Sequence, residues 1–330
     1  MPMSLPGIHH ITALASDPQR NLRFYTGFLG LRLVKQTVNF DAPDTYHLYY
    51  GDEVGRPGTL LTFFPFPDAG RGRRGAGETT AVAFSVPPGS SDFWIDRLSR
   101  NGIRFDGPGK RFDEEYIRFE DPDGMVVELF EDGSANGLPE WKGGSVPAAY
   151  AVRKLHGATF TQRDLSAAKT FLTETMGFET GPVEGSRHRF FAGTEGARAA
   201  IDIVVDPSAP QALQSAGSVH HIAWRVETDD GQREWRKKLA GAGHGVTQIL
   251  DRSYFRSIYF REPGGVLFEI ATDQPGFAVD ENPHELGMHL KLPQWLESNR
   301  TRIERVLPPL DLSIPSSLRS SRFQDRSVDN

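Results

Sequence analysis

Ile8-His9-His10-Ile11 and Val219-His220-His221-Ile222 are matching stretches from the two halves of the chain, and each opens an apolar run with the composition of a β-strand. A third stretch, Gly264-Gly265-Val266-Leu267-Phe268-Glu269, follows the second pair and carries a carboxylate among hydrophobic residues. Two imidazoles and one carboxylate are a donor set that suits a divalent metal ion. The three stretches therefore predict a fold in which the two ends of the chain meet at one site.

The sequence around these stretches repeats weakly, and the repeat predicts the architecture. After the first histidine pair come a helical pattern over Pro18 to Phe28 and three strand-like runs, which together read as a βαβββ module. Leu155-His156-Gly157-Ala158-Thr159 restarts the pattern. We predict an α+β fold of four βαβββ modules, at residues 5–67, 78–133, 151–207 and 217–273, with a linker at 134–150 and a C-terminal extension at 274–330 that ends in disorder from Ser313.

Alternation along the strands predicts which histidine of each pair reaches the site, because neighbouring strand residues point to opposite faces. His220 falls in register with the large apolar residues Ile222 and Trp224, which we expect to pack against a helix, and His221 then faces the cavity. The same rule places His10 and Glu269 on the cavity side. It places His9 and His220 on the packed side, from which they would act by orienting the ligands.

A site that contains His10, His221 and Glu269 requires module 1 to pair with module 4, and module 2 with module 3. The second pair has Ala81 and Gly157 where the first has histidines, although Glu128 and Asp202 stand at the carboxylate positions. We therefore expect the second site to be degenerate and Glu128 to be structural.

Thr62 is predicted to lie opposite Glu269, at the position of a fourth ligand. Threonine is a poor metal ligand, so the pattern predicts a three-residue facial triad with open coordination positions, an arrangement typical of non-haem Fe(II) oxygenases.

Composition narrows the function further. The chain has 37 Lys+Arg against 43 Asp+Glu and a formal charge of -6, so we expect neither nucleic acid nor a membrane surface as a partner. It has no Cys, so any metal must rely on His, Asp or Glu. We find no signal-peptide pattern and no apolar run of membrane-spanning length, which favours a cytoplasmic enzyme.

Paired βαβββ modules with His on the first strand and Glu on the last resemble the vicinal oxygen chelate superfamily, which includes glyoxalases, bleomycin-resistance proteins and extradiol ring-cleaving dioxygenases. The resemblance covers roughly residues 5 to 292. Several segments look like the dioxygenases that open hydroquinones, among them Leu5 to Thr12, Tyr46-His47-Leu48-Tyr49-Tyr50, Gly55-Arg56-Pro57-Gly58-Thr59, Arg187-His188-Arg189, Pro263 to Glu269 and Leu286-Gly287-Met288.

This resemblance implies Fe(II), with Mn(II) as an alternative, bound by His10, His221 and Glu269. It also implies a substrate, a hydroquinone or catechol-like small aromatic diol, whose ring is opened by insertion of O2. The residues for which it implies catalytic or ligand-orienting roles are Tyr259, Arg252, His220, His9 and Thr12.

Two other functions stay open from the sequence. One is a glyoxalase-type isomerase or lyase that binds Zn2+ or Ni2+ and needs no oxygen. The other is a non-catalytic resistance protein that sequesters an aromatic compound or antibiotic. The sequence also leaves open whether the chain forms a homo-oligomer.

Overall fold

The computed structural model describes residue 3 and residues 5–193 and 198–313. The predicted disorder of the C-terminal end falls almost entirely on residues 314–330, outside the described residues. The strands run in chain order as β1 Ile8–Ala15, β2 Arg32–Asn39, β3 Ala42–Gly51, β4 Leu60–Pro65, β5 Glu78–Val86, β6 Phe105–Arg111, β7 Glu114–Glu120, β8 Val126–Glu131, β9 Lys154–Gln162, β10 Glu179–Glu184, β11 Arg187–Ala192, β12 Ala199–Val205, β13 Val219–Val226, β14 Leu250–Asp251, β15 Arg256–Arg261 and β16 Leu267–Thr272.

These strands form two eight-stranded sheets, whose orders within the described chain are β14-β15-β16-β13-β1-β4-β3-β2 and β10-β11-β12-β9-β5-β8-β7-β6. In the first sheet β1 runs antiparallel to β13, and Ile11 lies opposite Ile222. In the second sheet β5 runs antiparallel to β9. The predicted pairing of module 1 with 4 and of module 2 with 3 is therefore confirmed, whereas the exact module limits stay predictions.

The described α-helices other than the last lie between strands in the chain, and capping side chains mark where two of them begin. Asp17 accepts a hydrogen bond from the backbone of Arg20 ahead of Pro18, and Thr228 accepts one from Gly231. Their bounds are α1 Pro18–Leu22, continued by a π-helical turn at Arg23–Phe28, α2 Ser91–Arg100, α3 Ser166–Thr170, continued by a π-helical turn at Phe171–Thr175, α4 Asp229–Gly241 and α5 Arg300–Val306, with short 3-10 turns at Gly133–Ala135, Ala148–Tyr150, Phe277–Val279, Pro283–Glu285 and Gln294–Asn299.

Apolar faces of the helices pack against the sheets. Ile222, Trp224 and Phe268, which alternation assigned to the packed side, are 0% exposed, and the buried face of α4 is formed by Gln232, Trp235 and Leu239. None of the helices in the described part of the chain is long and apolar enough to cross a membrane.

Both histidine pairs lie at β-bulges. Between β1 and β13 the register passes from Ile8 opposite Trp224 to His10 opposite Ala223, so His9 is an extra residue on β1. It passes from Thr12 opposite His221 to Ala13 opposite Val219, so His220 is an extra residue on β13. Because a bulge interrupts the alternation of faces, two consecutive side chains can turn toward the same side.

The C-terminal extension packs against the outer strand β2. Leu290 forms a β-bridge with Gln36, and the buried Lys35 ammonium forms ion pairs with Asp280, at 2.6 Å, and with Glu281. This packing holds the described part of the extension on the β2 edge of the first sheet.

Candidate metal centre

Three side chains from three strands of the first sheet converge on one point. The Nε2 atoms of His10 on β1 and His221 on β13 are 3.3 Å apart. Glu269 Oε2 on β16 lies 2.9 Å from His221 Nε2 and 3.5 Å from His10 Nε2. Within the described chain these three residues form a group that could hold a metal ion.

The spacing of these atoms fits one octahedral ion. Ligand atoms at about 2.1 Å from an ion and at right angles to one another are about 3.0 Å apart, and the three observed distances bracket that value. Glu269 Oε2 is buried and receives no well-aligned hydrogen bond from any described residue, although His221 Nε2 is close. Three donor atoms that face one another and leave a buried oxygen unpaired are what a divalent cation would satisfy.

The electrostatics keep the glutamate ionised. Glu269 is 0% exposed, and burial alone would favour its neutral form. Nevertheless, the neighbouring imidazoles of His10 and His221 hold the pKa of this carboxyl well below its usual range. The other oxygen, Oε1, accepts a hydrogen bond from the hydroxyl of the buried Ser257 on β15, which fixes the orientation of the carboxylate.

The first histidine of each pair lies within hydrogen-bonding distance of the second. His9 Nδ1 lies 2.9 Å from His10 Nδ1, and His220 Nδ1 lies 2.8 Å from His221 Nδ1. Burial and the neighbouring histidine lower the pKa of both His9 and His220 to about 3, so both are neutral near pH 7. Each can therefore accept a hydrogen bond from the Nδ1–H of its partner, which leaves the partner's Nε2 as the atom that would bind a metal ion.

Strict alternation was wrong for His220. Its side chain lines the same cavity as His221, because the bulge removes one step of the alternation. His9 is buried, with its ring 5.1 Å from those of both His10 and Phe255, so it too lies beside a candidate ligand rather than across the sheet from it.

A cavity of about 530 Å³ opens over the three convergent atoms. Its aromatic and aliphatic wall combines with a few polar groups, which is the usual character of a small-molecule site. The described residues that line it are His10, Leu14, Asn39, Phe40, Asp41, His47, Tyr49, Phe64, Phe66, Gln214, His220, His221, Arg252, Phe255, Tyr259, Leu267 and Glu269. None of them belongs to the C-terminal extension.

Tyr259 and Arg252 meet at the polar end of this cavity. Tyr259 lies directly across from Glu269 on the neighbouring strand, and Arg252 Nε is 3.3 Å from its hydroxyl. Arg252 also forms an ion pair of 3.1 Å with Asp41. Burial and the charge of Glu269 raise the pKa of Tyr259, so the phenol keeps its proton near pH 7.

Thr62 occupies the place of a fourth ligand but is engaged by other side chains. It lies across from Tyr49, as Glu269 lies across from Tyr259, which makes Thr62 the counterpart of Glu269 in the duplicated module. Its hydroxyl is 2.8 Å from that of Thr12 and 2.9 Å from Nε2 of His47. Thr12 lies opposite His221 in the β1–β13 ladder, and its hydroxyl bonds Thr62 rather than lining the cavity.

In the second sheet an arginine pairs with the carboxylate that corresponds to Glu269. Arg111, the counterpart of Arg252, donates two hydrogen bonds of 2.8 Å to Glu128. Asp202 is bound by Arg189 at 2.7 Å and by Arg187 at 3.0 Å. A guanidinium thus neutralises the carboxylate that corresponds to Glu269, in agreement with the structural role expected of Glu128.

Sequence reasoning missed four residues of this region. Ser257 and His47 lie at equivalent positions, two residues before Tyr259 and Tyr49. On the adjacent strand, Ser257 bonds Glu269 and His47 bonds Thr62. Phe255 packs its ring 5.0 Å from that of His10, and Asp41 pairs with Arg252. Alternation places Ser257 on the face of Tyr259, which is the one signal that could have found it.

Fold and site together define a protein of paired βαβββ modules built around a candidate metal centre. A family model described as the Glyoxalase/Bleomycin resistance protein/Dioxygenase superfamily matches residues 7–129 and 154–270. The chain belongs to this superfamily.

Its relatives include dioxygenases that match along nearly the whole chain. MhqO of Bacillus subtilis (strain 168), named "Putative ring-cleaving dioxygenase", is 44% identical over 309 residues, which are 93% of this chain and 97% of MhqO. The chlorohydroquinone/hydroquinone 1,2-dioxygenase of Sphingobium indicum is 34% identical over 315 residues, 93% of this chain and 97% of that enzyme. At the level of enzyme class these relatives confirm the prediction of a ring-cleaving dioxygenase, an oxidoreductase.

Solved structures agree on the fold. The crystal structure of a "putative dioxygenase" from Bacillus subtilis subsp. subtilis str. 168 superposes with a TM-score of 0.89 at 43% identity, and the match covers 94% of this chain and 99% of that one. Glyoxalase I from Zea mays shares the fold with a TM-score of 0.61 at 14% identity, over 86% of this chain and 97% of that one.

Proposed function

We propose that the protein is an Fe(II)-dependent extradiol-type dioxygenase that inserts O2 into the ring of a hydroquinone or catechol-like diol. The observation that carries the proposal is the convergence of His10, His221 and Glu269 beneath a largely aromatic cavity, with the hydroxyl of Thr62, at the fourth position, engaged by Thr12 and His47. Similarity to a hydroquinone dioxygenase supports the substrate class.

In this proposal His10, His221 and Glu269 hold the iron, with Mn(II) as the alternative ion. When bound, iron would supply open positions at which the diol and dioxygen meet and exchange electrons. His9, His220 and Ser257 orient the ligands, because each bonds one of them directly.

The residues at the polar end of the cavity would donate a hydrogen bond to the diol and stabilise its negative charge. Arg252 Nε donates to the Tyr259 oxygen, which leaves the phenolic O–H free to donate to a ligand oxygen. The guanidinium of Arg252 would also offset negative charge that develops on the diol, since Asp41, its ion-pair partner, is largely exposed and weakly held. We propose Tyr259 and Arg252 as catalytic residues on this basis.

The predicted cytoplasmic location stays a prediction.

The test is anaerobic reconstitution with Fe(II), followed by oxygen-electrode measurements against a panel of hydroquinones and catechols. We expect stoichiometric oxygen uptake with at least one diol and none in the absence of metal. Glu269→Gln should lose both iron and oxygen uptake, whereas the matched variant Glu128→Gln, at the equivalent position in the second sheet, should keep iron stoichiometry. A protein that binds iron yet consumes no oxygen with any diol would overturn the proposal, and activity only with Zn2+ or Ni2+ would favour the isomerase.

A further inference from the structure

One cavity residue, His47, is immobilised by contacts on both of its nitrogen atoms. Its Nδ1 lies 2.8 Å from the hydroxyl of Tyr49, and its Nε2 lies 2.9 Å from the hydroxyl of Thr62. The ring of Tyr49 packs at 4.0 Å and that of Phe64 at 4.2 Å from its centre. His47 is partly exposed, and together with Tyr49 and Phe64 it lines the cavity above the metal ligands.

The protonation states of His47 and Tyr49 follow from their surroundings. Burial, together with His10 and His221, lowers the pKa of His47 well below its usual value, so the imidazole is neutral. Burial raises the pKa of Tyr49 well above its usual value, so the phenol keeps its proton. The Tyr49 O–H then donates to Nδ1, and the Nε2–H donates to Thr62. With both nitrogens occupied and the rings of Tyr49 and Phe64 packed against its faces, the ring offers a ligand chiefly its carbon edge.

The chain of contacts continues away from the cavity to Thr12. The hydroxyls of Thr62 and Thr12 are 2.8 Å apart. Both threonines are 0% exposed, and neither is among the described residues that line the cavity. The side-chain hydrogen-bond route from Thr12 to the cavity therefore runs through Thr62 and His47, whereas its backbone lies opposite His221 in the β1–β13 ladder.

The duplication shows what is particular to this position. Ser257 is the counterpart of His47, and its hydroxyl orients the ligand Glu269. His47 instead bonds a threonine that is no metal ligand, and its larger side chain extends into the cavity. The equivalent strand position therefore orients a candidate metal ligand in module 4 and forms part of the cavity wall in module 1.

We propose that His47 is a specificity-determining residue, a fixed aromatic wall against which the ring of the diol packs, and that Thr62 and Thr12 are positioning residues that hold this wall. The proposal rests on the proposed function, because it takes an aromatic diol as the ligand. It predicts that His47 selects among ring substituents through shape, and that both threonines act only through its imidazole.

The test uses the full chain loaded with Fe(II) under anaerobic conditions, with hydroquinone and chlorohydroquinone titrated separately and followed by absorbance. Thr62→Val removes the hydroxyl but keeps the shape, and should weaken binding of both diols by about tenfold. Thr62→Ser, which keeps the hydroxyl, should stay within about twofold of the wild type. His47→Phe should change the ratio of the two dissociation constants by about tenfold, with iron content and melting temperature unchanged.

A double-mutant cycle decides whether the threonines act through His47. In the His47→Phe background, both Thr62→Val and Thr12→Val should change the dissociation constants by less than about twofold. Equal effects of Thr62→Val in both backgrounds, or an unchanged ratio in His47→Phe, would overturn this proposal alone. A wild-type protein that binds iron but no diol would overturn the proposed function and this inference together.

Discussion

A single hydroxyl group, that of Ser257, fixes one oxygen of the glutamate at the candidate metal centre. Its removal in Ser257→Ala leaves the carboxylate free to rotate, and we expect the dissociation constant for Fe(II) or Mn(II) to rise by roughly 10- to 100-fold. Anaerobic calorimetric titration with either ion measures this directly. Ser85→Ala is the matched control, because Ser85 is equally buried and bonds a carboxylate, Asp132, in the second sheet. Metal affinity that falls equally in both variants would contradict the assignment.

At the scale of single residues, the sequence predicts the candidate metal ligands better than the residues that position them or the cavity wall. His10, His221 and Glu269 stand out because their residue types and apolar settings are unusual together. Ser257 and His47 do not, because the role of each emerges only once a neighbouring strand brings Glu269 or Thr62 within hydrogen-bonding distance of it. Those contacts depend on how β15 pairs with β16 and β3 with β4, and no local sequence pattern indicates that register.

The β-bulges at His9 and His220 place two neighbouring rings on one side of a strand. His9→Phe and His220→Phe keep a planar ring but take away the acceptor for the ligand's Nδ1–H, so we expect metal affinity to fall roughly 10- to 100-fold. His9→Gln and His220→Gln, whose amide oxygens can accept this hydrogen bond, should bind metal more tightly than the Phe variants. Metal titration of the four proteins makes the comparison.

His156→Phe provides the control for this prediction, since His156 is the extra residue at the equivalent bulge of β9 in the second sheet. Its metal affinity should equal that of the wild type. If the Phe and Gln variants of His9 and His220 bind metal alike, the orienting role of the bulge residues is wrong. Alternation alone cannot foresee these bulges, because it assumes an uninterrupted ladder, and His220 was misplaced for that reason.

On the scale of the whole molecule, the buried Glu78 opens β5 where the two sheets meet. Burial, which outweighs its contact with Ser218, raises the pKa of this carboxyl to about 7. In the unfolded chain this carboxyl has its ordinary pKa of about 4.5. Between about pH 4.5 and 7 the folded chain therefore still holds a proton on Glu78 that the unfolded chain has already released. This proton favours folding at low pH, and its contribution is lost as the pH rises to 7.

Glu78→Gln mimics the protonated acid, so it should stabilise the protein by about 1–3 kcal/mol at pH 8 and by little at pH 5. Urea unfolding of chelator-treated protein at the two pH values tests this without the pH dependence that metal binding would add. Glu115→Gln, at an exposed carboxylate of β7, should change stability equally at both values. A Glu78→Gln effect that does not grow with pH would refute the prediction.

The pairing of modules could be predicted at this scale because one requirement, that His10 and His221 share a site, has only one solution among four modules. The fate of the second site could be predicted only in part. Ala81 and Gly157 show that it lost its histidines, but nothing in the sequence around Glu128 shows that Arg111 lies against it. That contact depends on the hairpin formed by β6 and β7, far from any motif.

Through a covalently attached side chain, Arg111 supplies to one half of the molecule the positive charge that, under the proposed function, a metal ion would supply to the other half. Metal scarcity would then leave the carboxylate of the second sheet paired and that of the first sheet without its ion. Duplication would in that case have produced one half that depends on metal supply and one that does not.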